Sequence, residues 1–563
     1  MSEILLEPCS PSALPRARAW LLVAVLAPIL CALANRDLWP PDEPRYGQVA
    51  RECVADGFPA ALHLNGEPYA EKPPLFFWLG AALSAPAGHV TAWGMRLASA
   101  LPSALAAWLL ARLARRWTGS EVVAVSAALI FSSMGLVLWH ASRAVLDLPL
   151  TCAVLLAVER GIAWADVGGA SRAIACGAGW AAAILFKGPM GVFLPPLAIA
   201  GHVIGTGRRP GFARGAWLAP TVAVALVLAW LVPAAMTGGE TYRARLFGQL
   251  VSRATGSEGH NVRPFWFYVA LLPLAVMPWT PIAIAGVVRV LRVARDSCAP
   301  GPARAGALAV LATAGTGLLI LSALATKRDL YAIPLLPFLA LAAASALDGV
   351  APRGHFARMT RVTVIGVLVA GVVGALMLPA VGMHAFTDSW GPGPADLGAW
   401  PAAATLAAVL AAGLLAVLRV RRDVPTLVRR GAVALLTATV VFHIGYLPRI
   451  DSRKSYAEVA HAARAAAGTG RIYDVEGYIG NLLWSADQAT IERVPTAADV
   501  ARVLGPDAPP AAVVARVSWW REQTEAAAAN RTLPSPLAGV RVAWTGWADR
   551  NFLVVLTRSP EVR

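Results

Sequence analysis

The sequence predicts an integral membrane, all-α protein of about thirteen transmembrane helices, followed by a C-terminal soluble α/β domain. Three observations carry this. Hydrophobic residues make up 57% of the chain and charged residues only 15%, with a mean hydropathy of +0.58, a composition foreign to soluble domains. Apolar runs recur from residue 18 to residue 448, each near the length of about 20 residues that crosses a hydrocarbon layer of about 30 Å. Arginines gather in connections that all fall on one side if the runs alternate.

The runs lie at 18–34, 93–112, 121–139, 147–165, 172–187, 189–205, 216–235, 265–288, 306–325, 330–348, 362–380, 398–418 and 431–448. The first follows Arg16 and Arg18 and ends in Ala32-Leu33-Ala34, which resembles a signal peptide. With so many runs behind it, it is expected to be retained as a first span. In the loop 35–92, the segment Pro73–Pro86 is apolar but too short to cross, and reads as an interfacial or re-entrant helix. Earlier in that loop, Tyr46, Val49, Ala50, Cys53 and Val54 recur at helical spacing, with Arg51, Glu52 and Asp56 off that face. This predicts an amphipathic helix on the membrane surface.

The basic clusters set the expected topology. They are Arg16 and Arg18; Arg112, Arg115 and Arg116; Arg208, Arg209 and Arg214; Arg289, Arg292 and Arg295; Arg353, Arg358 and Arg361; and Arg419, Arg421, Arg422, Arg429 and Arg430. The positive-inside rule makes their side the cytoplasm. The N-terminus is then cytoplasmic, and an odd number of crossings puts residues 449–563 outside. Domains are expected at 1–448 and 449–563. In the tail, Ser455–Ala467 has helical composition. Arg471–Val475, Thr490–Val494 and Ala511–Val517 read as strands, and Val540–Leu556 as a hairpin.

The net charge of +16 does not point to nucleic acid, because the arginines sit in short loops between apolar runs. The cysteines are scattered, without CxxC or metal-type spacing. Lysine is rare, appearing only at Lys72, Lys187, Lys327 and Lys454. The first three fall at span ends on the outside face. A lysine is a compact point charge that arginine's planar fork does not replace at a tight anionic site, although each position also suits a snorkelling anchor.

Candidate carboxylates occupy the same face. Asp42 and Glu43 open the amphipathic helix, and Asp147 opens a span in Arg143-Ala144-Val145-Leu146-Asp147-Leu148-Pro149. Either aspartate fits a helix cap with proline in the first turn. Either also fits a carboxylate held at the membrane–water boundary as a base or transition-state stabiliser. Tyr46, Tyr69 and Tyr331 fit sugar or phosphate contacts as well as interfacial anchors. Arg263 is a phosphate candidate, and His260 with Glu71 or Glu258 is a candidate pair for a divalent cation.

The stretches Pro41-Asp42-Glu43-Pro44-Arg45-Tyr46, Tyr69-Ala70-Glu71-Lys72-Pro73-Pro74-Leu75, Phe186-Lys187-Gly188-Pro189 and Lys327-Arg328-Asp329-Leu330-Tyr331-Ala332-Ile333-Pro334, in this order and topology, resemble the GT-C glycosyltransferases. Among these they are similar to the aminoarabinose-transferase (ArnT) branch of the protein-mannosyltransferase-related family. The resemblance covers most of the membrane region and no motif of the tail. It implies a GT-C fold and an inverting transferase. Such an enzyme moves 4-amino-4-deoxy-L-arabinose from undecaprenyl phosphate to a lipid A phosphate, giving resistance to polymyxin and cationic peptides. The implied catalytic residues are Asp42, Asp147 and Glu43. The implied phosphate and substrate contacts are Lys72, Lys187, Lys327, Arg328, Arg45, Arg263, Tyr46, Tyr69 and Tyr331, with Arg143 next. The implied partners are the sugar donor, lipid A and membrane lipids, with no nucleic acid. No cofactor is required, and Glu71 with His260 is the cation candidate. Transfer of another polyprenyl-linked sugar to lipid or protein stays open, as does transport or lipid flipping. Transporters, however, favour repeated halves with polar groups at mid-membrane.

Overall fold

The computed structural model describes residues 13–207, 217–255, 261–347, 354–381, 399–420, 423–477, 479–529, 537–549 and 551–559. A bundle of apolar helices makes up the first four-fifths of the chain, and a five-stranded α/β unit follows it. Local signals set the helix limits. Thr91 accepts a hydrogen bond from the Gly94 amide and starts Ala92–Thr118, and Gly119, left-handed at φ 69°, ends it. Ser120 starts the next helix, Glu121–Ser132, in the same manner.

Among the described residues, eight helices are long and apolar enough to cross a membrane, and nine if Phe267–Ala275 and Thr280–Arg295, bent by 114°, count as one. This is a multi-span membrane protein, with fewer unbroken crossings than the expected thirteen. The difference has a local origin. The runs at 18–34, 121–139 and 330–348 fold as shorter apolar helices, Ala19–Ala32, Glu121–Ser132 and Asp329–Ser345. The run at 265–288 breaks at Val276–Trp279. Helix Ala170–Lys187 carries Arg172 and Lys187 within its 18 residues.

Small residues let the helices approach closely, which is how apolar helices gain contact without a hydrophobic driving force. A Cβ on Gly286 would fall 2.0 Å from the Ala342 carbonyl oxygen. At the end of the bundle away from Asp147, charge ties add to such contacts. Arg112 bonds Glu159 at 2.8 Å, Arg116 bonds Asp166 at 2.8 Å, and Asp166 in turn meets His202 Nε2 at 2.9 Å.

The loop 35–92 folds into helix Glu43–Ala55, a short hairpin of β1 (His63–Leu64) and β2 (Glu67–Pro68), and helix Leu75–Ser84. The first of these helices buries Tyr46, Val49, Ala50 and Cys53, the face its spacing predicts. It packs between Leu75–Ser84 and helix Ile479–Ala486 of the tail. Consequently Arg51 is drawn over the Trp484 ring, 4.5 Å from its centroid, and Val54 is left 42% exposed. The connection after Thr237 holds a further helix, Gly239–Thr255.

The tail strands are β3 (Arg471–Asp474), β4 (Glu492–Arg493), β5 (Ala511–Arg516), β6 (Val540–Ala548) and β7 (Asn551–Arg558). Their order is β4-β3-β5-β7-β6. β3 runs parallel to both β4 and β5, with Tyr473 opposite Val513, and the β6–β7 hairpin adds antiparallel to β5. Apolar side chains cover both faces in two clusters, one around Ile472, Leu482 and Val514, the other around Val475, Val500 and Val513. The unit is seated on loop 35–92. Trp484 Nε1 donates to Asp37 at 2.7 Å, Arg51 donates to the Trp484 carbonyl at 3.1 Å, and the Asn65 amide pairs with the Ile491 backbone at 3.0 and 2.7 Å.

Candidate active site

Asp42 is the residue preceding helix Glu43–Ala55, and its side chain makes no capping hydrogen bond. Its carboxylate turns instead to two arginines. Arg45 Nη2 donates to Oδ1 at 2.8 Å and Arg328 Nη2 to Oδ2 at 2.7 Å, across 286 residues of chain. Arg45 also donates to Glu71 at 3.0 Å. The result is an alternating line, Glu71–Arg45–Asp42–Arg328, in which all four side chains stay partly exposed. Burial pushes the Asp42 carboxyl up, but the Arg328 and Arg45 guanidiniums outweigh it and hold the group below its ordinary range. Asp42 outweighs burial to raise Arg328 above its ordinary range, and Tyr69, Tyr46, Glu71 and Asp42 together do the same for Arg45. All three groups are fully charged near neutrality.

These residues line one wall of a cavity of about 450 Å³. Pro41, Asp42, Arg45, Asn261 and Arg328 come from the helical region, and Gly477, Gly480 and Asn481 from the tail. Two fixed guanidiniums in a partly dehydrated cleft can grip phosphate oxygens, and the carboxylate between them keeps both in place.

Glu43 occupies a different position from its neighbour. It is 1% exposed, with every oxygen engaged: Oε2 accepts from Arg36 at 3.0 Å and from the Trp39 amide at 2.9 Å, and Oε1 from the Ala144 amide at 2.7 Å. Burial raises its carboxyl, and Arg36 and Arg143 more than reverse this, leaving it at about 2. Ser142, whose hydroxyl bonds His443, also accepts Arg36 through its carbonyl at 3.0 Å. Glu43 therefore does not face the cavity. It clamps the turn Ser142–Ala144, which leads into Asp147, to the segment carrying Asp42.

Asp147 is the first residue of helix Asp147–Val167, with Leu146 in the cap position. It is buried and bonded to Lys187, whose ammonium lies 4.5 Å from the Tyr331 ring centroid. Both Asp147 and Tyr331 lie within electrostatic reach of Arg328. Lys72 is mostly buried, donates to the Glu71 carbonyl at 3.1 Å, and its charge reaches Asp42. Three further sequence candidates are buried and do not line the cavity, although Tyr46 lies under Arg45, 5.5 Å from its ring centroid to the guanidinium carbon. Lys327 is 3% exposed and donates to the carbonyls of Arg263 and Leu324, stitching the strand-like pairing of Val262 with Thr326. Tyr46 and Tyr69 are 3% and 4% exposed, packed edge-on against Phe76 and Phe77. Arg263 is exposed beside Asn261.

For the cation pair, Glu71 is engaged by Arg45, and His260 and Glu258 lie outside the described residues. Among the described residues, no group of three or more His, Cys, Asp or Glu side chains is arranged to hold a metal ion.

Comparison with solved structures fixes the architecture. ArnT from Cupriavidus metallidurans bound to undecaprenyl phosphate superposes with a TM-score of 0.72 at 20% identity, covering 97% of this chain and 98% of that one. The chain has the ArnT fold. The archaeal oligosaccharyltransferase AglB from Archaeoglobus fulgidus shares it more distantly, with a TM-score of 0.52 at 12% identity over 91% of this chain and 70% of AglB. In sequence, the model of the dolichyl-phosphate-mannose-protein mannosyltransferase family matches residues 71–232. That segment of the ArnT fold contains Glu71, Lys72, Asp147 and Lys187, but not Asp42, Arg45 or Arg328. The chain is also similar to undecaprenyl phosphate-alpha-4-amino-4-deoxy-L-arabinose arabinosyl transferases. It is 30% identical over 286 residues to one from Pseudomonas fluorescens, 49% of each protein, and 31% identical over 277 residues to one from Pseudomonas paraeruginosa, 47% of this chain and 49% of the relative. The chain thus matches about half the length of these curated relatives.

The tail's share of the cavity was not foreseen. The signal for it is Glu476-Gly477-Tyr478-Ile479-Gly480-Asn481, one glycine between a parallel strand and a helix and a second in the helix's first turn. In an open parallel sheet that is where ligands bind.

Proposed function

We propose that this chain is an inverting glycosyltransferase that moves 4-amino-4-deoxy-L-arabinose from undecaprenyl phosphate to a phosphate of lipid A. Transfer takes place at the periplasmic face of the bacterial inner membrane. In this reading, residues 1–448 form the thirteen-crossing catalytic region with a cytoplasmic N-terminus, and 449–563 form a periplasmic domain. The observation that carries it is the Arg45–Asp42–Arg328 triad on the wall of a cleft of about 450 Å³, at the end of the bundle where Asp147 and Lys187 also meet. Support comes from the relatives named as aminoarabinose transferases and from the fold shared with ArnT.

The chemistry follows from the charges. An oxygen of the acceptor phosphate attacks the anomeric carbon of the sugar. The new carbon–oxygen bond forms as the bond from the same carbon to the donor phosphate breaks, and the electron pair leaves on undecaprenyl phosphate. Neither step needs a proton, because the acceptor's second pKa is about 6 and the leaving phosphate is stable as an anion. What the reaction needs is cations where negative charge builds on the leaving group. Arg45 and Arg328 supply them, with Lys72 adjacent. Asp42 positions the two guanidiniums and contacts the sugar. Asp147 and Lys187 shape the floor of the site beneath Tyr331. No covalent intermediate and no cofactor enter the scheme.

The test is complementation. A strain lacking its own transferase, given this chain, is expected to show aminoarabinose on lipid A by mass spectrometry and to survive polymyxin. Unmodified lipid A alongside folded, membrane-inserted protein sinks the assignment.

A further inference from the structure

Helix Ile479–Ala486 of the tail meets helix Glu43–Ala55 at two points. The first is at Arg45, where a Cβ on Gly480 would lie 3.3 Å from the arginine's Cβ and Cγ. The second is one turn further along the tail helix, at Trp484. Its ring lies against Gly47, and a Cβ on that glycine would fall 2.7 Å from Trp484 Cε3. Arg51 closes this second contact. Its guanidinium lies 4.5 Å from the Trp484 ring centroid and donates to the carbonyls of Trp484 at 3.1 Å and Leu483 at 3.4 Å. Both carbonyls belong to the last turn of the tail helix, where no amide of the helix can serve them and a cation complements the helix dipole. Trp484 Nε1 then reaches Asp37 at 2.7 Å, on the segment that leads into Asp42. The clasp is remote from the cavity. Arg51 is six residues from Arg45, about 9 Å along the helix, and it is not on the cavity wall. Arg45 is on that wall. Its tip is shared between Asp42 and Glu71, and its stem lies against Gly480 of the tail.

We propose that the tail is a positioning device for the donor phosphate: the Arg51–Trp484 clasp seats helix Ile479–Ala486 against the stem of Arg45 and so sets where its guanidinium points. This rests on the function proposed above and gives the tail a task within it. Arg51 and Trp484 touch no substrate and act through Arg45, which makes them positioning residues. The physical reason is order. A long side chain that is free until the phosphate arrives must be immobilised on binding, at a cost of about two- to tenfold in affinity. A wall along the stem supplies that order beforehand. The carboxylates of Asp42 and Glu71 draw the guanidinium from two sides, and the tail helix limits the paths by which the stem can reach them.

The experiment is a double-mutant cycle on full chains in nanodiscs, with undecaprenyl phosphate binding as the readout and transfer to lipid A measured alongside. R51M and W484F are each made in the wild-type background and again with R45A. In the wild-type background each is expected to weaken undecaprenyl phosphate about fivefold. With R45A each is expected to change it by less than about twofold, because no guanidinium is left to aim. An equal loss in both backgrounds overturns the inference, since a contact that only stabilises the fold does not depend on Arg45. Unchanged binding by R51M and W484F overturns it too. A third variant, G480A, leaves the clasp intact and adds a methyl group against the Arg45 stem. It is expected to weaken binding about threefold with Tm unchanged. Unaltered binding by G480A also overturns the inference, and this arm decides alone if R45A binds too weakly to be read. If the wild type neither binds undecaprenyl phosphate nor transfers aminoarabinose, the function itself is refuted and the inference goes with it. If the wild type does both and R51M matches it, only the inference fails.

Discussion

Replacing Glu43 by glutamine separates a clamp from a catalyst. The substitution is nearly isosteric, so its cost is electrostatic. Glu43 receives N–H groups on both oxygens, from Arg36 and Trp39 on one and Ala144 on the other. Glutamine has a single acceptor oxygen. Whichever way its amide is turned, an NH₂ faces an N–H donor, and Arg36, whose side chain is 1% exposed, keeps a positive charge without a counter-ion. Removing one partner of a buried ion pair costs about 3–5 kcal/mol. The Ala144 amide also loses its anchor, so the turn leading to Asp147 loosens. E43Q is therefore expected to lower the thermal unfolding temperature in detergent markedly and to reduce the yield of monodisperse protein. The folded fraction should still bind undecaprenyl phosphate, because Arg45 and Arg328 are untouched. Differential scanning fluorimetry and a binding assay on the same preparation provide the readout. A variant as stable as wild type but dead in transfer would refute the reasoning, because it would make Glu43 a group acting on the substrate.

Further outcomes follow from the same geometry. D42N should keep the fold, since Asp42 is partly exposed, but lose transfer by about a hundredfold or more, the scale of a lost electrostatic element in an active site; radiolabelled sugar transfer measures it. K327M should behave oppositely, losing about 1–3 kcal/mol as the carbonyls of Arg263 and Leu324 lose their donor, with transfer per folded molecule unchanged. The pH dependence has a definite sign. The Asp42 carboxyl is depressed in the folded chain, so its contribution is complete above its unfolded value of about 3.9 and is lost only as pH falls through the lower folded value. Transfer should therefore fall near pH 6, where the acceptor phosphate takes up its second proton, and not near pH 4; a pH–rate profile with the limb at 4 contradicts this.

What could be read from the chain depended on how locally each feature is encoded. The face of helix Glu43–Ala55 was legible because Tyr46, Val49, Ala50 and Cys53 sit one turn apart, and the tail's strands because their β-branched runs are bounded by Gly and Pro. Val54 was misjudged: it was placed on that face, yet in the helix's last turn it is 42% exposed. Asp42 and Arg328 could each be picked as candidates, but nothing in either neighbourhood says that they bond across 286 residues. Lys327 attracted attention by the rarity of lysine. Its three donors serve equally well to bind carbonyls, and composition cannot tell a phosphate from a peptide oxygen. The break near Trp279 and the shortened helices escaped notice because hydropathy reports apolar length, not straightness.

The central claim is that one phosphate-gripping cleft lies between the helical bundle and the tail. An electron cryomicroscopy structure of the full chain with undecaprenyl phosphate bound tests it most directly. The phosphate is expected within hydrogen-bond distance of Arg45 and Arg328, beside Asp42. Density for the phosphate at the opposite end of the bundle, near Arg112 and Arg116, would contradict the account.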